Sequence, residues 1–520
     1  MSLTPGLLRP EHPTPRSLAA LRRAFGFTGD RSDAQVTGLA LRTQDLRPGD
    51  LFVAAPGATT HGAAHAGAAQ QAGAVAVLTD AEGESIARTA GIPVLIAADP
   101  RAVLGDVAAW VHGTADRPPL LLLGVTGTNG KTTTVMLLDH LLRALGITAG
   151  YSTTAARGVA GERVPSRLTT PEADELHALI ARMRERGASA AAVEVSAQSL
   201  SRNRIGGVVF DVVGFTNLTH DHLDEYGDMQ TYFAAKAALF DPRHARRGVV
   251  SLDSPYGDRL VAAAGIPIVT IGMDGGTGGR TGAAPARSAD WTVSEIQVGP
   301  DGTGFRLTGP AGERLQTRVS LLGEHAAADA AMAVVMLVES GFAFDRLAEA
   351  VAAGIDIRVP GRLERIPSQR GPAVYVDISH TPDAFLKSLT ALRPLTRGRL
   401  MILFGADGDR DAGKRPEMGR IASELADVVL VTDHHSRYED PAAIRAGIVA
   451  GVRSASNPAE LHEVLAPQQA IRRALAMASD GDTVLWAGTG RTEYRDVRGV
   501  RIPYSFHDDA VAAMREAGLV

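Results

Sequence analysis

The sequence contains no cysteine, which excludes disulfides, thiolate metal sites and cysteine nucleophiles from the start. Aromatic residues make up only 5% of its 520 positions, so the buried volume must come from aliphatic side chains and alanine. Neither charge sign dominates: 53 lysines and arginines stand against 58 aspartates and glutamates, a net charge of −5. Nothing global therefore points to nucleic acid or a membrane surface as a partner. No window approaches the ~18 uninterrupted apolar residues of a membrane span. Residues 1–16 are studded with proline and lack an apolar signal core, which predicts a cytoplasmic protein. What is present is 45% hydrophobic and 21% charged residues, a composition of globular domains and not of disorder. At ~150 residues per domain, the length predicts about three to four of them.

Short aliphatic and β-branched runs alternate with longer helical stretches along the whole chain, the pattern of an α/β protein. In the first block such runs fall at 51–55, 74–78 and 93–97, separated by alanine-rich helical segments. Pro118 and Pro119 then break the chain before an apolar strand at 120–125. A glycine loop and a helix follow, with Leu137, Leu138, Leu141, Leu142 and Leu145 recurring at helical spacing. Further strands are predicted at 190–195, 211–215, 249–252 and 268–271, then a glycine-rich loop over 272–286. The alternating stretch 291–319 predicts antiparallel strands added to a mostly parallel sheet. A third block begins near 354–361, with strands at 373–378, 399–404, 428–431 and 483–486. Polar clusters at 379–380, 405–410, 432–437 and 488–491 follow these strands, at the edge where open α/β sheets bind ligands. The expectation is three α/β domains: 1–118, a central domain 119–355 with a mostly parallel P-loop sheet, and a Rossmann-like domain 356–520.

The strongest chemical signal is Gly124-Val125-Thr126-Gly127-Thr128-Asn129-Gly130-Lys131-Thr132-Thr133 between strand and helix. Its glycines let successive N–H groups turn toward phosphate oxygens at a helix N-terminus. Lys131 would reach the terminal phosphates and Thr132 a Mg²⁺ ion, so a nucleotide and Mg²⁺ are the expected ligands. Glycines at 124, 127 and 130 depart from the generic spacing, which would need one where Val125 stands. Glu194 ends a buried strand in the same block, and His222 follows another; a carboxylate there can hold a hard cation. Spacing alone leaves bland roles open: a helix N-cap for Asp221, a core histidine for His222, a solvated lysine for Lys236. His220 receives no role.

Taken together, Gly127-Thr128-Asn129-Gly130-Lys131-Thr132, Leu168-Thr169-Thr170-Pro171, Glu194-Val195-Ser196, the segment 217–224, Ala234-Ala235-Lys236 and Asp377-Ile378-Ser379-His380 resemble the Mur ligases. These enzymes use ATP to add amino acids to the UDP-linked peptidoglycan precursor. Gly405-Ala406-Asp407-Gly408-Asp409-Arg410-Asp411 and Lys414-Arg415-Pro416 are most similar to the branch that adds the third residue. The resemblance implies that ATP phosphorylates the substrate's glutamyl carboxylate and that an incoming amine displaces phosphate from the acyl phosphate. It implies Lys131, Glu194, His222 and Lys236 as catalytic residues, Thr132, Glu194 and His222 as Mg²⁺ ligands, and carbamylation of Lys236. Gly127, Thr128, Asn129, Gly130, Lys131, Thr132, Thr133, Arg362, Asp377 and His380 would contact ATP. Thr169, Thr170, Ser196, Arg202 and Arg204 would contact a UDP-linked muramoyl dipeptide, and the first domain would bind uridine. A site assembled from two domains implies closure that excludes water from the acyl phosphate. A cytoplasmic monomer is expected.

Three segments depart from the family pattern. Leu322-Gly323-Glu324-His325 with Ala326 and Asp329 replaces a motif carrying two asparagines, which makes His325 and Asp329 the adenine-side candidates. Ala197-Gln198 replaces Ser-His in the substrate region. For the free diamino acid, enzymes using meso-diaminopimelate carry Asp-Asn-Pro-Arg and a later glutamate; here stand His434-His435-Ser436-Arg437 and, after Gly488, Thr492. Removing one partner of such a buried charge pair costs roughly 2–5 kcal/mol, although Glu493 lies one position away. Arg410, His434, His435, Arg437, Gly488 and Thr492 are the amino-acid candidates. The expectation is a dibasic acceptor, L-lysine first, then L-ornithine or diaminobutyrate, with Arg437 opposing it. The alternatives are a meso-diaminopimelate-adding enzyme and a nucleotide-binding relative without turnover.

Overall fold

The computed structural model describes residues 8–57, 59–115, 120–274, 288–488, 490 and 493–520. Three sheets organise the chain. The central sheet runs in the order Glu162–Pro165, Ala156–Val159, Ala149–Ser152, Ala190–Glu194, Leu121–Thr126, Phe210–Phe215, Ala245–Ser251, Ile268–Met273, Trp291–Gly299, Gly302–Thr308, Arg314–Val319. From Ala149–Ser152 through Trp291–Gly299 all neighbours are parallel, and the pairings beyond either end are antiparallel. Strands in the parallel part are apolar on both faces because helices cover both. Helices Lys131–Ala144 and Glu324–Glu339 pack on one face through Leu137, Leu141 and Val334. Helices Ala173–Glu185 and Met229–Ala237 pack on the other through Leu176, Leu179 and Tyr232.

The carboxy-terminal sheet has the order Glu364–Ile366, Ala373–Val376, Thr483–Trp486, Leu400–Phe404, Val428–Val431, Glu460–Glu463. Only its first pair is antiparallel. Cores on either side enclose it, one formed with helices Pro382–Leu392, Lys414–Leu425 and Pro441–Ser454, the other with Pro467–Met477 and Phe506–Glu516. A smaller amino-terminal sheet contains Gly38–Ala40, Asp50–Val53, Ala76–Thr79 and Val94–Ile96 in parallel, with Thr28–Gly29 antiparallel at its edge.

The predicted strands are present with ends moved by a few residues. Those that sequence reading passed over have physical reasons for being quiet. Ala149–Ser152 and Ala156–Val159 each contain a glycine, and Glu460–Glu463 is a polar edge strand. Gly272 and Met273 end the strand Ile268–Met273 instead of opening a loop, and 275–286 lies outside the described residues. So do Pro118, Pro119 and Thr492. Among the described residues, no helix is long and apolar enough to cross a membrane.

Candidate active site

Strand Leu121–Thr126 delivers the glycine loop to the N-terminus of helix Lys131–Ala144. Gly127 and Gly130 have φ of +151° and +87°, conformations that disfavour any side chain. A Cβ on Gly127 would lie 2.0 Å from Thr216 Oγ1, and one on Gly130 would lie 2.5 Å from Asp329 Oδ1. The loop is thus closely packed against two neighbouring elements. Lys131 Nζ folds back to donate to the carbonyls of Gly127 (2.9 Å) and Thr128 (2.8 Å). Burial pushes its pKa down, opposed by the charge of Glu194.

Glu194 ends the adjacent parallel strand and is fully buried. Its Oε2 accepts from Thr154 Oγ1 at 2.7 Å, whereas buried Oε1 has no hydrogen-bond partner among the described residues. An orphaned carboxylate oxygen beside a phosphate loop fits a divalent cation. Thr170 anchors this strand end: its hydroxyl donates to Glu194 O (2.7 Å) and accepts from Ser196 N (3.0 Å). Thr169 lies alongside Thr154, 3.2 Å between hydroxyls.

Lys236 is 2% exposed, far from the solvated lysine that spacing alone allowed. Its Nζ donates to Gly127 O at 2.8 Å and sits 4.7 Å from the Tyr232 ring centre. Burial, then the Lys131 charge, holds its pKa well below the ordinary lysine value. His222, in the left-handed conformation (φ +56°), packs edge-on against Tyr232. Burial lowers its pKa as well, so a neutral ring able to ligate a metal is favoured.

Asp221 caps no helix; His222 occupies the N-cap position of Leu223–Tyr226. Asp221 instead takes Lys414 Nζ at 3.1 Å and faces His380 Nε2 at 3.7 Å. Burial opposes its ionisation, but His380, Lys414 and His222 together hold its pKa well below the usual carboxylate range. Further links join the same two sheets: Arg362 Nη2 to Thr132 Oγ1 (2.9 Å), Asn129 Nδ2 to Asp383 Oδ2 (2.9 Å), His220 Nε2 to Asp411 Oδ2 (2.7 Å), and Arg410 Nη1 to Asp224 Oδ2 (3.4 Å). These contacts join the two sheets across the site. Asp377 positions Arg362 by accepting from Leu363 N (2.6 Å) and Ser379 N (2.7 Å).

One cavity of about 280 Å³ is lined by Thr128, Asn129, Gly130, Lys131, Thr132 and Thr133, by Thr169, Glu194, Ser196, His222 and Lys236, and by His325, Asp329, Arg362, Asp377 and His380. Burial pushes Asp329 up to about 7 and lowers His325 to about 4. Outside its lining, Arg204 is buried and pairs with Glu172 (2.9 Å), and Arg202 pairs with Glu225 (2.8 Å). Arg410 meets the central sheet's Asp224, while His434, His435 and Arg437 cluster around Asp407 at the carboxyl edge of the other sheet. Gly488 follows the neighbouring strand with φ +91°. Glu493 is exposed, and its carbonyl accepts from Tyr504 N at 3.1 Å. Sequence reading missed Thr154, the contacts of His220, and Asp221 as a hub. Their partners lie up to about 190 positions away, and no local pattern encodes them.

Comparison with known proteins gives three family matches: the Mur ligase family catalytic domain at residues 35–115, the Mur ligase middle domain at 125–337, and the Mur ligase glutamate ligase domain at 361–490. A Leifsonia xyli subsp. xyli protein called UDP-N-acetylmuramyl-tripeptide synthetase is 52% identical over 518 residues, 99% of each chain. A Streptomyces avermitilis protein called UDP-N-acetylmuramoyl-L-alanyl-D-glutamate–2,6-diaminopimelate ligase is 41% identical over 516 residues, 99% of this chain and 98% of its own. A solved structure described by that same ligase name superposes with a TM-score of 0.65 at 26% identity, covering 98% of this chain and all of the other. An Acinetobacter baumannii MurF structure, at 17% identity and a TM-score of 0.67, shares the fold over 92% of this chain and 96% of its own.

Proposed function

Because the chain belongs to the Mur ligase family of ATP-dependent ligases, we propose that it joins a free diamino acid to UDP-N-acetylmuramoyl-L-alanyl-D-glutamate. The observation that carries this reading is the convergence of phosphate loop, orphaned Glu194 oxygen, buried Lys236 and cross-domain Arg362 on one cavity. Relatives 41% and 40% identical over 99% of the chain are named 2,6-diaminopimelate ligases. That favours meso-diaminopimelate as the acceptor over the L-lysine preference drawn from the altered motifs. Arg437, which opposes a lone terminal cation, supports the same choice. L-lysine, ornithine or diaminobutyrate remains the second reading, since the 52% identical relative's name leaves the amino acid open.

In this reading Lys131 leaves its carbonyl partners to meet the terminal phosphates, where charge accumulates as the glutamyl carboxylate is phosphorylated. Glu194, His222 and Thr132 would hold Mg²⁺, which supplies further neutralisation of phosphate oxygens when bound. The region before 118 would bind the uridine end, and Thr169, Ser196 and Arg204 would hold the muramoyl peptide. Closure of the two sheets over the site would keep water from the acyl phosphate until the amine attacks.

The test is ADP release with the UDP-dipeptide, ATP and Mg²⁺ against separate meso-diaminopimelate, L-lysine, L-ornithine and diaminobutyrate. Selective stimulation by meso-diaminopimelate is expected; silence with all four while ATP still binds would leave the non-catalytic relative standing.

Lys236 adds a separate prediction. Burial and the Lys131 charge weaken this amine's hold on its proton, and the neutral form is the one that adds CO₂. Addition of CO₂ with release of a proton turns it into a carbamate anion beside the Lys131 cation. On equilibration with ¹³C-bicarbonate, a protein carbamate resonance is expected that Lys236→Ala lacks. An identical resonance in the variant would rule the modification out at this position.

A further inference from the structure

Three neighbouring parallel strands, Thr483–Trp486, Leu400–Phe404 and Val428–Val431, release their loops at one edge of the carboxy-terminal sheet. The middle loop carries Asp407, and the third carries His434 through Arg437. Asp407 Oδ1 faces His434 Nδ1 at 2.7 Å, and Oδ2 faces Arg437 Nη2 at 3.3 Å. Its side chain is nevertheless 33% exposed, so lone pairs remain open to a ligand. Burial opposes its ionisation, but the bond from His434 and the Arg437 charge outweigh it, keeping a carboxylate at neutral pH.

The cluster is held rigidly. Arg437 adopts φ +50°. Its N–H donates to Asp496 O (3.0 Å), its carbonyl accepts from Arg498 N, and Asp496 N donates to His435 Nδ1 (3.0 Å). The hairpin of Tyr494–Val497 and Val500–Pro503 thus clamps the loop. Two buried nitrogens, His434 Nε2 and Arg437 Nε, have no hydrogen-bond partner among the described residues. A fixed carboxylate beside unsatisfied buried nitrogens is an arrangement completed by a polar ligand.

The same loop continues from Asp407 into Arg410, Asp411 and Lys414, which contact Asp224, His220 and Asp221 of the central sheet. Asp221 and His222 line the nucleotide cavity. One short stretch of chain therefore links the wall of the reaction site to Asp407, the relation needed between the reacting α-amine and the far end of its own side chain.

We propose that Asp407 is the specificity residue that receives the side-chain ammonium of the incoming diamino acid, in place of the glutamate expected where Thr492 stands. The proposal rests on the ligase reading above. It holds for each diamino acid considered there, because all carry a side-chain ammonium. Where that terminus also bears a carboxylate, Arg437 Nε provides a donor to it, while His434 Nε2, whose ring carries its proton on the Nδ1 that faces Asp407, can accept from the ammonium.

A bound metal is the competing use of Asp407, His434 and His435, whose candidate ligand atoms lie within 4.8 Å of one another. The contacts disfavour it. Arg437 is beside the carboxylate, Arg495 Nη2 reaches His434 O (3.3 Å), and both histidine Nδ1 atoms already have partners. A second cation centre there would face two guanidinium groups.

The test begins with the wild-type enzyme and the four diamino acids; failure with all four defeats the ligase reading, not this assignment. The most active acceptor is then compared with its analogue lacking the side-chain amine, 2-aminopimelate for meso-diaminopimelate or norleucine for lysine. Wild type is expected to favour the amine by roughly 10- to 100-fold in kcat/KM. Asp407→Asn should erase most of that preference with little change in KM for ATP, and Asp407→Glu should retain part of it. An undiminished preference in Asp407→Asn overturns the assignment, as does one metal ion per wild-type chain that Asp407→Asn lacks. Should both variants fail to fold, ¹⁵N-histidine-labelled wild type decides. The diamino acid should shift the His434 ring resonance, assigned with His434→Gln, and its amine-less analogue should not; equal responses overturn it.

Discussion

Replacing Lys131 with methionine is expected to lower kcat for acceptor-dependent ADP release by about 10²–10³-fold or more, the loss seen when one preorganised charge stabiliser is removed. Methionine keeps most of the stem volume, so packing of helix Lys131–Ala144 should survive. Among the described residues the lysine has no fixed anionic partner: its Nζ rests on the carbonyls of Gly127 and Thr128, and burial has weakened its hold on the proton. A phosphate group supplies the missing counter-charge, so the stabilisation appears when nucleotide is bound and grows as phosphoryl charge develops. Steady-state kinetics with the preferred diamino acid, alongside circular dichroism to confirm folding, measure this. Activity within ~5-fold of wild type would remove Lys131 from the catalytic role.

The second large effect belongs to Arg362. It reaches from the segment before the carboxy-terminal sheet to Thr132 Oγ1 at 2.9 Å. It is held there by Asp377, which fastens the backbone at Leu363 and at Ser379. Because the arginine meets Thr132 from the segment leading into the other sheet, its removal should damage the reacting complex more than initial nucleotide binding by the glycine loop. Arg362→Ala is expected to lower kcat by roughly 10²–10³-fold, approaching the range of a cross-domain arginine in phosphoryl transfer. The Kd for ATP should change by less than about 10-fold, since the glycine loop and Lys131 are untouched. Equilibrium nucleotide binding read beside kcat separates the two quantities. A variant that loses ATP affinity but keeps kcat would make Arg362 a simple binding contact.

Both predictions concern residues that sequence reading identified, but for unequal reasons. Lys131 was legible because strand, glycine turn and helix are consecutive, and a phosphate loop is a local object. Arg362 carried no local signal; only resemblance singled it out, and its partner is 230 positions away. Lys236 shows the opposite failure. In isolation its segment reads as an ordinary helix with a solvated lysine, whereas the fold buries that lysine against Gly127. Aspartate 221 and histidine 220 read as a cap and a bystander, yet each meets a residue of the carboxy-terminal sheet.

The sequence by itself determined the α/β class, the positions of the main buried strands and the glycine loop between strand and helix, because periodicity of 2 or 3.6 and glycine punctuation act over a few residues. Its motif order was also sufficient for the family resemblance. Tertiary structure alone decided that Glu194 keeps a buried oxygen without a partner, that Lys236 is desolvated, and that Asp407 stands among His434, His435 and Arg437. Those properties arise from loops that parallel strands bring to one edge and from two sheets closing on each other. Charge, desolvation and hydrogen-bond satisfaction depend on distance in space, which these crossovers set independently of separation along the chain.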